Sequence, residues 1–408
     1  MDRPFMPCEL GVAIRDSSLG SVPGPNSMLN EFLHRLRYVA RGTLRTMIHN
    51  SFANGSLPGS WKIEDNIRIS NPGKDPCRPG SYRPITLLSV LPKLIEGMTH
   101  RRLSALLPHH PRQFGFAPSR STLDVLTPVA DKISRGFNEF GTVEYERPGG
   151  GAHTQNPHHR SLVASIDFST AVDTIDHGEL FGMLDRLPRL GPRTKRWLNN
   201  SLRGRYVRVC SREQHSRKQL TPAGVPQGSV LGPQLFLYCV DDLLHRMGNI
   251  YSASALMHAD DLALVASGAD IHAFAAAMQP SLSLTTTWAA EHSPKINVDK
   301  SEAAAFYISS HTRSDEEMVD LLLGNGNLRI QSCPVRLLGT TIDRLPNFDY
   351  ARFHRYKADH ATLLSTAAGR TGWCVPSHHA ILFNWIRPRC VTVLWRDTCP
   401  MPCPHLPP

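Results

Sequence analysis

Ser161-Leu-Val-Ala-Ser-Ile-Asp-Phe168 and Ala255-Leu-Met-His-Ala-Asp-Asp-Leu-Ala-Leu-Val-Ala266 decide how this chain is read. Both are apolar runs broken by acid: Asp167 follows Ile166, and Asp260 and Asp261 stand between Ala259 and Leu262. Leu162 to Ile166 predicts a strand ending on Asp167, and Ala255 to Ala266 predicts two short strands around a turn at Asp260-Asp261. An Asp-Asp pair alone suits a hairpin turn, where Asp is common. Adjacent carboxylates between apolar strands are nonetheless costly unless something cationic neutralises them. With an aspartate at the end of another strand, they form the set that a two-metal site needs. One ion there activates an attacking hydroxyl, and the other holds phosphate and leaving oxygens.

Outward from these runs the pattern is mixed. Asp176 and Glu179 have capping-box spacing and predict a helix through Leu187. Leu235, Cys239, Leu243 and Met247 fall four apart, with Phe236, Val240 and Leu244 widening the face, so a buried helix is predicted. Residues 11–110 alternate helical patterns with breaks at Pro23-Gly24-Pro25-Asn26 and Asn71-Pro72-Gly73-Lys74. Gly141 to Arg160 is rich in Gly, His and Pro and reads as a surface insertion contributing little core. Its His158-His159 pair has no Cys or carboxylate at ligand spacing. The last sixty residues lose periodicity. Cys399, Cys403 and His405 read as a ragged Pro-rich tail rather than a zinc knuckle.

The 408 residues suffice for two or three sub-domains, and 41% apolar content excludes wholesale disorder. A net charge of +10 and a pI near 9.3 suit a polyanion partner, although a merely basic soluble protein has the same balance. Nine mostly isolated cysteines make no disulfide framework and fit a reducing compartment. No apolar run follows the first residues, and none approaches the ~18 residues of a membrane span. A soluble protein of the nucleus or cytoplasm, with no membrane partner, is expected.

At the motifs themselves the chain resembles a known family. Ser165-Ile-Asp-Phe-Ser-Thr-Ala-Val-Asp-Thr-Ile-Asp-His177 resembles the first catalytic motif of non-LTR (LINE-type) retrotransposon reverse transcriptases. Ala223-Gly-Val-Pro-Gln-Gly-Ser-Val-Leu-Gly-Pro233 resembles the next, and His258-Ala-Asp-Asp261 the third. Upstream, Ser81-Tyr-Arg-Pro-Ile-Thr-Leu87 and Gln113-Phe-Gly-Phe-Ala-Pro-Ser-Arg-Ser-Thr122 are similar to fingers motifs. Downstream, Lys295-Ile-Asn-Val-Asp-Lys-Ser301 and Val335-Arg-Leu-Leu-Gly339 resemble the last two palm motifs. The resemblance covers about residues 20–345, with a flavour similar to the ingi-like elements of trypanosomatids.

The resemblance implies an α+β right-hand polymerase. Residues 1–60 would form an N-terminal helical extension, 61–160 the fingers with the Gly/His/Pro-rich insertion, and 161–344 a palm with an antiparallel sheet. Residues 345–408 would hold a partial or degenerate thumb and the Pro/Cys-rich tail. The implied activity is RNA-directed DNA polymerisation, adding dNTPs to a primer 3′-hydroxyl with two Mg²⁺ ions, Mn²⁺ being a substitute. RNA template, DNA primer, RNA–DNA hybrid and dNTPs would be its partners. Asp167 and Asp260 would be the principal metal ligands and catalytic residues, with Asp261 the third carboxylate. Arg83 would meet the triphosphate, its planar fork suiting phosphate oxygens, with Lys74 a second candidate. Phe168, Val172, Gln227 and Gly228 would complete the nucleotide site. Lys300 (or Lys295) would protonate the departing pyrophosphate, and Leu338-Gly339 would grip the primer end.

Four positions depart from the family. Val172 stands where an aromatic usually excludes a ribose 2′-hydroxyl, and His258 where the third motif usually begins with Tyr or Phe. Ala117 and Asn71 each replace a usual basic residue. Two other readings therefore stand beside a working polymerase: a decayed copy with little activity, and an RNA-binding protein on a polymerase fold. No endonuclease-like segment precedes the fingers and no ribonuclease H pattern follows. The chain is thus expected to be part of a larger element's machinery, or a truncated copy.

Overall fold

The computed structural model describes residues 2–70, 75, 77, 78, 81–107, 109–138, 143–146, 152–155, 160–169, 172–211, 214–306, 319–331 and 334–342. The expected thumb and tail lie outside them, as do Asn71, Lys74, the His158-His159 pair, Cys399, Cys403 and His405. The chain opens with helices α1 (Pro7–Arg15), α2 (Asn30–His34) and α3 (Tyr38–Asn54). Strands β1 (Ile63–Ser70) and β2 (Tyr82–Leu87) and helices α4 (Val90–Ser104) and α5 (Leu123–Asn138) follow. Within the Gly/His/Pro-rich stretch two short strands, β3 (Val143–Glu146) and β4 (Ala152–Gln155), pair antiparallel. Next come β5 (Arg160–Ser169), α6 (His177–Asp185), α7 (Pro192–Leu202), β6 (Arg205–Ser211), β7 (Gln214–His215) and β8 (Gln219–Thr221). After α8 (Gly232–Met247) come β9 (Ala253–His258), β10 (Asp261–Gly268), α9 (Ile271–His292) and β11 (Lys295–Phe306). Strands β12 (Asp320–Leu323), β13 (Gly326–Gln331), β14 (Val335–Leu337) and β15 (Thr340–Ile342) complete the described chain.

Two larger mixed sheets organise these elements. One has the order β2-β1-β6-β7, with β8 also on β6; β1 and β6 run parallel and the other pairs antiparallel. Its β1–β6 seam buries the Glu64–Arg205 ion pair. The other has the order β12-β13-β11-β5-β10-β9. Its four strands around β5 are antiparallel as expected, and the parallel β11–β13 pair makes the whole sheet mixed.

β5 is largely apolar from Leu162 to Ile166 because both its faces are buried there. Leu162, Ala164, Ile166 and Phe168 enter a core built with α6, α8 and α9, including Leu180, Phe236, Phe274 and Trp288. Val163 enters a smaller core with Val129 and Ile133 of α5, Val265 of β10, Phe306 of β11, and Val335 and Leu337 of β14. The predicted helix at Leu235 is α8, with both stripes buried. Asp176 caps α6, its carboxylate accepting from Glu179 N at 2.9 Å. That helix ends at Asp185 rather than Leu187. The predicted hairpin also shifts slightly: Ala259 and Asp260 form the turn, and Asp261 already belongs to β10.

Candidate active site

Sheet register lines up the acidic residues. On antiparallel strands, residues directly opposite one another share a face. Asp261 pairs with His258 on β9 and with Asp167 on β5, and Asp167 pairs in turn with Asn297 on β11. One row across four strands therefore reads His258, Asp261, Asp167, Asn297, with Asp260 in the adjoining turn. Ala263 and Val265 share Asp261's face and are buried with α5 and β14, so the row lies on the side of the sheet where the β14–β15 hairpin packs.

Two irregularities shape this row. β11 is bulged: Asn297 to Glu302 spans only Asp167 to Ser165 on β5. A bulge re-aims the side chains it carries. Here it brings Lys300 Nζ to 3.7 Å from Asp167 Oδ2 and lets Ser301 Oγ accept from Asp167 N at 3.2 Å. Lys295, the other candidate, is opposite Ser169 at the strand's exposed start. The second irregularity is Ala259, whose φ of 57° is left-handed. The buried amide of Gln113 holds it: Oε1 accepts from Ala259 N at 3.0 Å, and Nε2 donates to Ala259 O at 3.4 Å. Gln113 Oε1 also accepts from Gly115 N at 2.9 Å. A Cβ on Gly115 would lie 2.1 Å from Ala259 N, so only glycine permits this approach. Gln113 and Gly115 belong to a motif quoted from the sequence, but nothing local to them signalled a contact with the acidic turn.

The carboxylates are electrostatically loaded. Asp261 is pushed up to about 6, first by burial, then by the charges of Asp260 and Asp167, with Lys300 opposing. Asp260 is also raised, chiefly by burial, with His258 and Lys300 opposing. Asp167 Oδ2 is buried without a hydrogen-bond partner. Oxygen donors of this kind suit a hard divalent cation such as Mg²⁺ or Mn²⁺. The three aspartates are not gathered within 4.8 Å, a spacing reached among the described residues by Asp65, Cys210 and His215.

The other expected residues fall around this row. Gln227 donates from Nε2 to both carboxylate oxygens of Asp173, at 2.9 and 2.7 Å, and its carbonyl accepts from Thr86 N on β2 at 3.2 Å. Gly228 has a φ of 114°, and a Cβ there would lie 2.6 Å from Thr86 O. Val172 is half-buried, its carbonyl accepting from Val225 N at 3.1 Å. The segment after β5 is thus bonded to the Gly224–Gly228 loop, which is bonded to β2. Arg83 lies on β2 opposite Ile69; its side chain and all of Lys74 fall outside the described residues. Leu338 and Gly339 form the β14–β15 turn with φ of 51° and 77°, the left-handed pair of a tight hairpin, and Leu338 packs against the carboxylate-bearing face. Phe168 is not brought to the site. Strand alternation turns its ring away from Asp167 into the core, edge-on to Trp288 at 5.9 Å between centroids. Ala117 is half-exposed in the loop before α5.

The family model described as reverse transcriptase (RNA-dependent DNA polymerase) matches residues 69–342, which include every element of this site. The chain belongs to the reverse transcriptase family. Within that family it is of the non-LTR retrotransposon type. It is 28% identical over 360 residues to the probable RNA-directed DNA polymerase from transposon BS of Drosophila melanogaster, covering 85% of this chain and 36% of that protein. It is 26% identical over 383 residues to the probable RNA-directed DNA polymerase from transposon X-element of the same fly, covering 92% and 38%. With the RNA-directed DNA polymerase from mobile element jockey the identity is 26% over 368 residues, covering 88% and 36%. This reverse transcriptase chain thus spans little more than a third of the length of these curated relatives. Among the described residues, no helix is long and apolar enough to cross a membrane.

Proposed function

We propose that this chain is an RNA-directed DNA polymerase core that extends a primer 3′-hydroxyl with dNTPs on an RNA template. The observation that carries the reading is the row of Asp261 beside Asp167 with Asp260 at the adjoining turn, one oxygen of Asp167 being buried without a hydrogen bond and only the Lys300 ammonium, 3.7 Å away, facing it among the described residues. Asp167, Asp260 and Asp261 would hold divalent ions. Bound there, such ions would supply an activated 3′-hydroxyl and charge stabilisation for the triphosphate.

The protein's own groups have distinct parts. The Gln113 clasp holds the backbone at Ala259 and so fixes the turn that carries the Asp260 carboxylate. Lys300, on the bulge, offers a proton and a positive charge next to Asp167. Gln227 and Gly228 give a narrow, backbone-lined surface for the nascent pair, braced by Asp173 and Thr86. Arg83, on the strand bonded to that loop, is assigned to the triphosphate. The β14–β15 turn at Leu338-Gly339 is assigned to the primer end. In this reading the sheet around β5 is the palm and the sheet containing β1 and β2 belongs to the fingers. The net charge of +10 serves contacts with template and hybrid phosphates.

The test is primer extension on an RNA template with Mg²⁺ or Mn²⁺, with and without chelator. Chelator-sensitive extension by dNTPs is expected. RNA binding without extension under either ion would instead favour the decayed-copy or the RNA-binding reading, the departures at Val172, His258, Ala117 and Asn71 bearing on activity.

A further inference from the structure

The sheet containing β1 carries a second donor set that polymerisation leaves unused. On the face opposite the Glu64–Arg205 pair, Asp65 stands across from Arg208, and Cys210 across from His215. These three adjacent strands bring a carboxylate, a thiol and an imidazole together. One ligand atom each from Asp65, Cys210 and His215 all lie within 4.8 Å of one another, and Cys210 Sγ is 2.9 Å from His215 Nδ1. Asp65 is buried, Cys210 half-buried and His215 exposed, so the set opens to solvent on one side.

The alternative is a self-satisfied polar cluster. Arg208 donates through Nη2 to Asp65 Oδ2 at 3.1 Å and through Nε to Oδ1. A carboxylate's two oxygens offer about four lone-pair sites, so the guanidinium leaves acceptor capacity for a further partner. Sulfur, imidazole nitrogen and one oxygen together suit a borderline ion of the zinc class rather than Mg²⁺. Tetrahedral coordination sets sulfur and nitrogen donors roughly 3.5 Å apart, so the Cys210–His215 pair must open by about 0.6 Å. His215 can yield, since β7 is two residues long and among the described residues pairs with β6 alone.

We propose that Asp65, Cys210 and His215 bind one zinc-like divalent cation, with the fourth position taken by water. As the metal–sulfur bond forms, the Cys210 thiol releases its proton to solvent, so affinity rises with pH. The ion would staple the edge strand β7 through β6 to β1, stiffening the sheet in which β2 carries Arg83.

The experiment titrates the metal-free full chain with Co²⁺ in excess Mg²⁺, then displaces it with Zn²⁺. One equivalent should produce a thiolate-to-cobalt charge-transfer band and strong tetrahedral visible bands, both removed by zinc. The Asp260→Asn variant should give the same spectrum, which separates this site from the carboxylate row. Cys210→Ser should abolish the charge-transfer band. His215→Ala, at an exposed position, should weaken binding by at least about 10-fold, and Asp65→Asn likewise. The proposal is overturned if no band appears at one equivalent, or if Asp65→Asn leaves affinity unchanged. It is equally overturned if the band survives Cys210→Ser, which would put cobalt on another of the nine cysteines, the exposed thiols of Cys8 and Cys77 among them.

Discussion

The side-chain amide of Gln113 bonds the main chain of Ala259 in both directions, at 3.0 Å to its N–H and 3.4 Å to its carbonyl. Ala259 immediately precedes Asp260, so a residue far away in sequence fixes where the acidic turn points. Gln113→Met keeps approximate volume but leaves Ala259 N and Gly115 N without their acceptor. Each buried group left unpaired costs about 1–3 kcal/mol. The variant should lower the urea midpoint and slow extension while RNA binding changes little. An unchanged midpoint together with unchanged extension would mean that the amide positions nothing.

Val172 tests the assignment of the nucleotide pocket. Its side chain is half-buried beside the Gly224–Gly228 loop, and it lacks the bulk of the aromatic usual in the family. Val172→Phe should raise the preference for dNTP over the matched rNTP by roughly 30- to 1,000-fold, equivalent to roughly 2–4 kcal/mol. Single-nucleotide incorporation on one template measures the ratio. A ratio equal to the parent's would remove Val172 from the sugar's 2′ side.

Acid should loosen the segment that presents Gln113. Burial, with His245 and Arg112 adding, lowers His110 from 6.5 to about 4. Its Nδ1 accepts from Arg112 N at 3.2 Å, and its backbone N–H donates to Asp241 Oδ2 at 2.9 Å. Between 6.5 and about 4 the unfolded chain binds a proton that the folded chain refuses. The stability contributed by neutral His110 is therefore present above 6.5 and lost as pH falls through that window. Melting temperatures at pH 7 and pH 5 should show a smaller acid-induced drop in His110→Asn than in the parent. Parallel drops would contradict the assignment.

Much of the site was legible because its signals are local. The apolar run at Leu162 to Ile166 marks a strand buried on both faces, and the acids that interrupt apolar sequence at Asp167 and Asp260-Asp261 mark the row. The stripes of α8 are equally plain. Phe168, assigned to the nucleotide site by resemblance alone, is turned by period-two alternation from the face of Asp167. What sequence could not reveal depends on distant partners. The parallel pairing of β1 with β6, the bulge that aims Lys300 at Asp167, and the Gln113–Ala259 clasp each join segments that share no local pattern. Cys210 reads as one of nine mostly isolated cysteines until Asp65 and His215 are set on its neighbouring strands.

Asp260→Asn tests the central claim most directly, because it removes a charge from the carboxylate row while keeping the side chain's size. Extension of a primed RNA template in Mg²⁺ should fall at least about 100-fold, the charge stabilisation being lost. RNA affinity should stay close to the parent's, since the basic contacts to phosphate remain. Both are measured on the same preparation, with its melting curve as the folding control. Extension by the Asp260→Asn variant at the parent's rate would contradict the account.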